Sequence, residues 1–198
     1  MGYNIVITGV GGQGVLVASQ IIANAAIYKD MNVRVGETHG MAQRGGSVIA
    51  HVRFGDGVYG SITPEGQGDV LLAFEPLESL RFISYMRDGA SAIVNNHPLV
   101  PVSVTAGAAK YPRVEDILER VRTRLDVTAI DATALADKAG NSITSNTVMI
   151  GAFSRIAEKS GIPLEKDVLL EAVRKRIPER FHSLNEKAFL LGYKQASI

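Results

Sequence analysis

The sequence predicts an α/β domain, with a mixed sheet between two helical layers and a run of helices at the C-terminal end. Three observations carry this reading. An apolar, β-branched run through Ile5, Val6 and Ile7 passes through a glycine-rich turn, Gly9 to Gly14, into a segment with helical spacing. Continuous apolar runs at 69–74, 90–95 and 127–130 alternate with helical patterns, as buried strands in a strand–helix series do. From Thr144 onward the pattern is helical throughout.

At 198 residues the chain suits a single domain, residues 1–198, with a core of ordinary size and a helical appendage at about 144–198. Residues 4–8 read as a buried strand. Residues 15–29 read as a helix, because Ala18, Ile21, Ile22 and Ala25 recur at helical spacing. Val33 to Gly36 makes a second strand, completing a βαβ unit. Ser47 to Phe54 alternates as a strand, Gly55-Asp56-Gly57 is a turn, and Val58 to Ile62 returns as its partner. An antiparallel hairpin at about 47–62 therefore makes the sheet mixed. Strand 69–74 is followed by a helix from about Pro76 to Met86, with proline in the first turn where it is tolerated. Strand 90–95 precedes a proline-punctuated region with a short strand expected at Val100–Val104. Val114 to Arg124 is amphipathic, with Val114, Ile117, Leu118, Val121 and Leu125 in line. Strand 127–130 ends at Asp131, and a short helix runs to Ala139. Ser145 or Asn146 would cap a helix reaching Ser160, with Gly161 past its end. Segments 164–176 and 184–196 are the last two helices.

Composition narrows the function. The net charge is +1 and the cations are scattered, which argues against a nucleic-acid groove or a polybasic membrane surface. No apolar run approaches the ~20 residues that span a bilayer. The N-terminal residues lack a basic segment before a long apolar one, so a cytoplasmic protein is expected. Cysteine is absent, which removes disulfides, thiolate nucleophiles, cysteine–zinc sites and cysteine-ligated iron–sulfur clusters together. Four dispersed histidines, among them His51 and His97, do not make a metal site.

Gly9-Val10-Gly11-Gly12-Gln13-Gly14 satisfies G-x-G-x-x-G between a strand and a helix, the context that makes a Rossmann-like, three-layer domain the expected architecture. In that reading Gly9 permits the turn, Gly11 admits a pyrophosphate, and Gly14 lets helix and strand pack closely. Helix-start N–H groups would face the anion. Glu37, roughly 20 residues on, stands where a ribose-binding acid would. The alternative is a glycine turn that only packs a helix on a sheet.

A second cluster, Thr38-His39-Gly40-Met41-Ala42-Gln43-Arg44-Gly45-Gly46-Ser47, sets polar side chains between glycines. Together with the glycine turn, with Ile62-Thr63-Pro64 and the run Asp69 to Glu75, and with Asn146 to Ala152 and Asn185 to Tyr193, it resembles the gamma-type subunits of 2-oxoacid:ferredoxin oxidoreductases over nearly the full length. The His-Gly-Met-Ala-Gln form resembles the indolepyruvate branch of that family. The resemblance implies a division of labour. A large alpha subunit carries thiamine diphosphate and iron–sulfur clusters, electrons leave to ferredoxin, and coenzyme A is the co-substrate that takes up the acyl group. The implied reaction is oxidative decarboxylation of aryl pyruvates to aryl-acetyl-CoA. This chain would be the non-cluster half of a hetero-oligomer, inactive alone and able to form homodimers when isolated, with no nucleic acid or membrane as partner.

No catalytic nucleophile or base and no metal ligand is assigned to the chain. Gly9, Gly11, Gly12, Gln13 and Gly14 are the cofactor-binding candidates. His39, Gln43, Arg44, Gly45 and Gly46 form the candidate substrate or partner loop. Arg44 can grip a carboxylate or phosphate with paired hydrogen bonds, or bond loop carbonyls as a structural arginine. His39 suits an acid/base role or the pinning of its loop. Asn146 and Asn185 read as helix caps, and Arg174-Lys175-Arg176 as a solvated helix end. The two glycine loops are expected to converge on one surface. From another class, a stand-alone dinucleotide-binding protein or regulator would use the Gly9–Gly14 turn. A pure scaffold for the partner is the third reading.

Overall fold

A computed structural model describes residues 1–39, 45–100, 104, 106–107 and 109–197, with only the backbone of His39. Six strands form one sheet: β1 (Gly2–Val10), β2 (Val33–His39), β3 (Ser47–Gly55), β4 (Gly68–Ala73), β5 (Met86–Asn95) and β6 (Asp126–Ile130). Their spatial order is β2-β3-β1-β4-β5-β6. β1, β4, β5 and β6 run parallel, and β3 is antiparallel to both β1 and β2. The helices are α1 (Val15–Ile27), α2 (Pro76–Arg81), α3 (Val114–Arg122), α4 (Ala132–Ala139), α5 (Ser145–Lys159), α6 (Lys166–Arg176) and α7 (His182–Gln195).

Both faces of the sheet are buried, because successive side chains of a strand point to opposite sides. In β1, Ile5 and Ile7 join the core beneath α1 and α4–α7, while Val6 joins the core beneath α2 and α3. Val70 and Leu72 of β4 likewise face the larger core and Leu71 and Ala73 the smaller. This two-sided burial explains the continuous apolar runs, and the three-layer, mixed-sheet architecture is as expected.

Two details of strand pairing differ from expectation. The antiparallel strand is present, but residues 58–62 are not its partner. β3 already has β1 on one side and β2 on the other, so no edge is left for a returning strand. Instead, residues 58–63 lie across the sheet as a strap whose backbone is satisfied by side chains. Arg53 Nη1 donates to the carbonyls of Gly60 (2.8 Å) and Ile62 (3.2 Å), and Asn32 Nδ2 donates to the carbonyl of Val58 (2.9 Å). Gly36 admits the strap, since a Cβ there would meet Ser61 O at 2.9 Å. The second difference is that β1 and β2 are not neighbours; β3 is inserted between them. The strand expected at Val100–Val104 lies largely outside the described residues. The helix expected from Pro76 to Met86 stops at Arg81, and a 3₁₀ turn (Ile83–Tyr85) leads directly into β5.

The C-terminal helices close the larger core through backbone contact. A Cβ on Gly151 of α5 would collide with the carbonyl of Phe189 on α7, and one on Gly192 of α7 would collide with the carbonyl of Val148 on α5. Alanine is too large at either position, so the two helix backbones touch where most helix pairs are held apart by side chains. Above this crossing, Thr147 Oγ1 donates to Asn185 Oδ1 (2.7 Å), and Asn185 Nδ2 donates to the carbonyl of Phe181 (3.0 Å). Asn185 is therefore a bridge between helices and not a cap. Asn146 is not a cap either: α5 is preceded by a 3₁₀ turn and its N-cap is Thr144. The basic end of α6 is also engaged. Arg174 pairs with Glu186 (2.8 Å), Arg176 Nε donates to Gln20 Oε1 (3.2 Å), and Lys175 lies over the ring of Tyr28 (4.2 Å). These contacts fasten α6 to α1 and α7, while Lys175 and Arg176 stay exposed, in keeping with the solvated end expected.

Candidate functional site

After β1 the chain passes to the larger core through α1, and after β4 it passes to the opposite face through α2. The strand ends of β1 and β4 thus form a topological switch point, the place where open α/β sheets bind ligands. The Gly9–Gly14 turn occupies it. A Cβ on Gly9 would lie 2.9 Å from Phe74 Cβ and 2.9 Å from Val15 Cγ2, so glycine is required for the turn to fit between β4 and α1. Gly14 is the N-cap of α1 in the left-handed region (φ +85°), and a Cβ there would stand 2.8 Å from Asn146 Nδ2. That contact brings the starts of α1 and α5 together beside the turn. No described side chain caps α1, and its first turn holds no acid. An uncapped helix start presents free N–H groups and a partial positive charge.

The two glycine loops meet, as expected. Gly11 N–H donates to Gly46 O (2.8 Å), and Gly45 N–H donates to Gly11 O (3.4 Å). These bonds extend the β1–β3 ladder past its last pair, Val10 with Ser47, into a seam of glycine backbone. Gln43 and Arg44 lie outside the described residues, as does the side chain of His39.

Gln13 is spent inside the turn. Its Oε1 accepts from Val10 N–H (2.8 Å) and its Nε2 donates to Phe74 O (3.0 Å). Removing both bonds in Gln13→Ala is expected to lower the unfolding free energy by about 1–3 kcal/mol. Urea denaturation of the isolated chain reads this directly, and an unchanged midpoint would free Gln13 for a ligand.

Asn95 and Glu78 belong to no sequence motif, and Glu75 enters the sequence reading only as the last residue of the run Asp69 to Glu75. Asn95, at the end of β5, donates from Nδ2 to Phe74 O (3.2 Å) and accepts from Ala132 N–H at Oδ1 (3.0 Å). Glu75 is buried, caps α2 by accepting from Glu78 N–H (3.1 Å), and accepts from the Tyr111 hydroxyl. Burial pushes the Glu75 carboxyl above its ordinary range, opposed by those hydrogen bonds. Glu78, also buried, accepts from the Ser47 hydroxyl and from Arg81 Nε (3.0 Å). The one available signal was the spacing Glu75-Pro76-Leu77-Glu78, an acid at a helix start with proline next and a second acid in the first turn.

Glu37 does not approach the glycine turn. β3 separates β2 from β1, which places the Glu37 backbone two strand spacings, about 10 Å, from β1. Its carboxylate accepts from Ser19 Oγ (2.8 Å). His51 is buried on β3, where Thr63 N–H approaches its Nδ1 (3.4 Å), and His97 is exposed.

The family model described as pyruvate ferredoxin/flavodoxin oxidoreductase matches residues 4–195. The chain belongs to that family. Within the pyruvate ferredoxin/flavodoxin oxidoreductase family it is similar to the indolepyruvate oxidoreductase subunit IorB of Pyrococcus horikoshii, with 48% identity over 98% of this chain and 96% of the relative. Among solved structures, the gamma subunit of a keto/oxoacid ferredoxin oxidoreductase from Geobacter sulfurreducens superposes with a TM-score of 0.72 at 27% identity, covering 98% of each chain. A 2-oxoglutarate:ferredoxin oxidoreductase from Magnetococcus marinus shares the fold at 19% identity and a TM-score of 0.76. There the match covers 99% of this chain and 31% of the longer one.

Proposed function

We propose that this chain is the small subunit of an indolepyruvate oxidoreductase, serving a thiamine-diphosphate-dependent oxidation of aryl pyruvates to aryl-acetyl-CoA. The supporting observation is the 48% identity to an IorB subunit along almost the whole of both chains. Iron–sulfur clusters do not fit this chain, because its 198 residues include no cysteine to ligate them. The clusters are therefore assigned to a large partner subunit in a hetero-oligomer, and thiamine diphosphate is placed there with them by the family resemblance, with ferredoxin reached through the complex. Thiamine diphosphate supplies the chemistry of decarboxylation in the partner.

The chain's own part is to shape and seal. The glycine seam lets the partner approach backbone without side chains in the way. The N–H groups at the start of α1, which no described side chain caps, suit a carboxylate or phosphate placed at the rim. Arg44 is the side chain proposed to reach such a group, with His39, Gln43, Gly45 and Gly46 forming its loop. Gly9, Gly11, Gly12, Gln13 and Gly14 hold the opposing flank. A stand-alone dinucleotide protein is less well supported. Glu37 is two strands from β1 and bonded to Ser19, and the Gly11 N–H that would meet a pyrophosphate is given to Gly46.

The complex is proposed to work in the cytoplasm; no described helix is long and apolar enough to cross a membrane. The test is reconstitution. The purified chain is expected to give no coenzyme-A-dependent turnover of indolepyruvate with ferredoxin as acceptor, and co-expression with a cysteine-rich large subunit to give a brown, active complex. Turnover by the chain alone, or preference of the complex for pyruvate or 2-oxoglutarate, would overturn the assignment.

A further inference from the structure

We propose that Glu78 is a positioning residue for the glycine seam, acting through Ser47. The proposal rests on the function above, since it concerns the geometry of that same surface.

The seam has few means of holding its shape. Gly45 and Gly46 have no side chains, and Gly45 sits at φ +77°. Ser47 is the first residue after them that can be anchored from the side. Its hydroxyl donates to Glu78 Oε2, reaching from the start of β3 to the first turn of α2. The opposite flank is fastened to the same stretch of chain, because Gln13 Nε2 donates to Phe74 O. Residues 74–78 therefore hold both sides of the Gly11–Gly46 bond.

The choice of residue is itself informative. Glu78 is only 5% exposed. A carboxylate at that depth carries a desolvation cost that an apolar residue packed under β3 would avoid. What it provides is a strong acceptor aimed at one hydroxyl, since hydrogen bonds to ionised groups are shorter and stronger than neutral ones. Arg81, half-exposed, balances the charge at Oε1 and leaves Oε2 to Ser47. Glu78 is itself set by its N–H, which donates to Glu75 Oε2 (3.1 Å), and Glu75 is held by Tyr111.

The experiment uses the reconstituted complex with Glu78→Ala, Ser47→Ala, the double variant, Ser47→Thr and, as a control away from the seam, Arg87→Ala. Displacing reacting groups by about 1 Å costs up to ~100-fold in rate, so each of the first two is expected to lower kcat by about tenfold or more with a smaller change in KM. The double variant should fall no further than either single one, because both remove the same bond. Ser47→Thr keeps a hydroxyl and should restore kcat, and Arg87→Ala, which breaks only the Arg87–Asp69 pair (3.1 Å) at the start of β4, should stay near the wild-type rate. All rates are read well below the melting temperature of each variant, so loss of fold is excluded. Wild-type kcat in Glu78→Ala and Ser47→Ala, or losses that multiply in the double variant, would overturn the positioning role while leaving the proposed function standing. A wild-type chain that never assembles with a large subunit would overturn both.

Discussion

Gly192→Ala is expected to unfold roughly 6–12 °C below the wild-type chain, taking about 3 kcal/mol for overpacking at a site with no slack and 2–4 °C per kcal/mol for a chain of this size. The methyl group would be driven into the carbonyl of Val148, so α5 and α7 must separate to accept it. Separation strips contacts from Phe153 and Phe189, both fully buried in the larger core. It also stretches the Thr147–Asn185 hydrogen bond above the crossing. Gly151→Ala meets the carbonyl of Phe189 on the same interface and should behave alike. Once one methyl has pushed the helices apart, the second has room, so the double variant should lose clearly less than the sum. Differential scanning calorimetry checks all three. A melting temperature within a degree of wild type for Gly192→Ala would show that the helices are not held by backbone contact.

Acid should weaken the fold through His51. The side chain is 1% exposed, packs edge-on against Tyr85 with ring centroids 5.0 Å apart, and receives Thr63 N–H at Nδ1. Burial, with Arg53 nearby, pushes its pKa from 6.5 down to about 4. The folded state therefore binds this proton less readily than the unfolded chain does. The contribution is fully present above pH 6.5 and is lost as the pH falls toward 4. Its full size is about 3 kcal/mol, at 1.36 kcal/mol per pKa unit. His51→Gln removes the titrating group, so the drop in unfolding free energy between pH 7.5 and pH 4.5 should shrink by about 2–3 kcal/mol relative to wild type. Equal pH slopes in the two proteins would mean that His51 takes up its proton as readily in the fold as in the unfolded chain.

The parts of this structure that were legible in the sequence are those encoded locally. Apolar runs buried on both faces marked the central strands, and G-x-G-x-x-G marked the passage from β1 to α1. The convergence of the two glycine loops was legible as well, because both follow parallel strands, β1 and β2, that finish at the same end of the sheet. The error over residues 58–62 has a plain cause. Gly55-Asp56-Gly57 is a sound hairpin turn, but turn chemistry does not say whether the preceding strand has a free edge. β3 had none, and Arg53 and Asn32 took over the hydrogen bonding of the strap. Glu78 and Ser47 lie 31 residues apart, and Thr147 and Asn185 lie 38 apart. Such pairs leave no periodic trace, and the same holds for Gly151 and Gly192, whose role appears only when two helices cross.

The insertion of β3 beside β1 sets the order in which the molecule can be put together. Both neighbours of the first strand are made after it, residues 47–55 on one side and 68–73 on the other. A nascent chain therefore carries Ile5, Val6 and Ile7 as a bare, sticky ribbon through the synthesis of some sixty further residues, about 3–12 s at 5–20 residues per second. Local hairpin closure cannot shelter it early, and non-local pairing of this kind slows collapse to the native form. Translation and enclosure run in opposite directions here: the earliest strand to be made waits longest for company on both flanks.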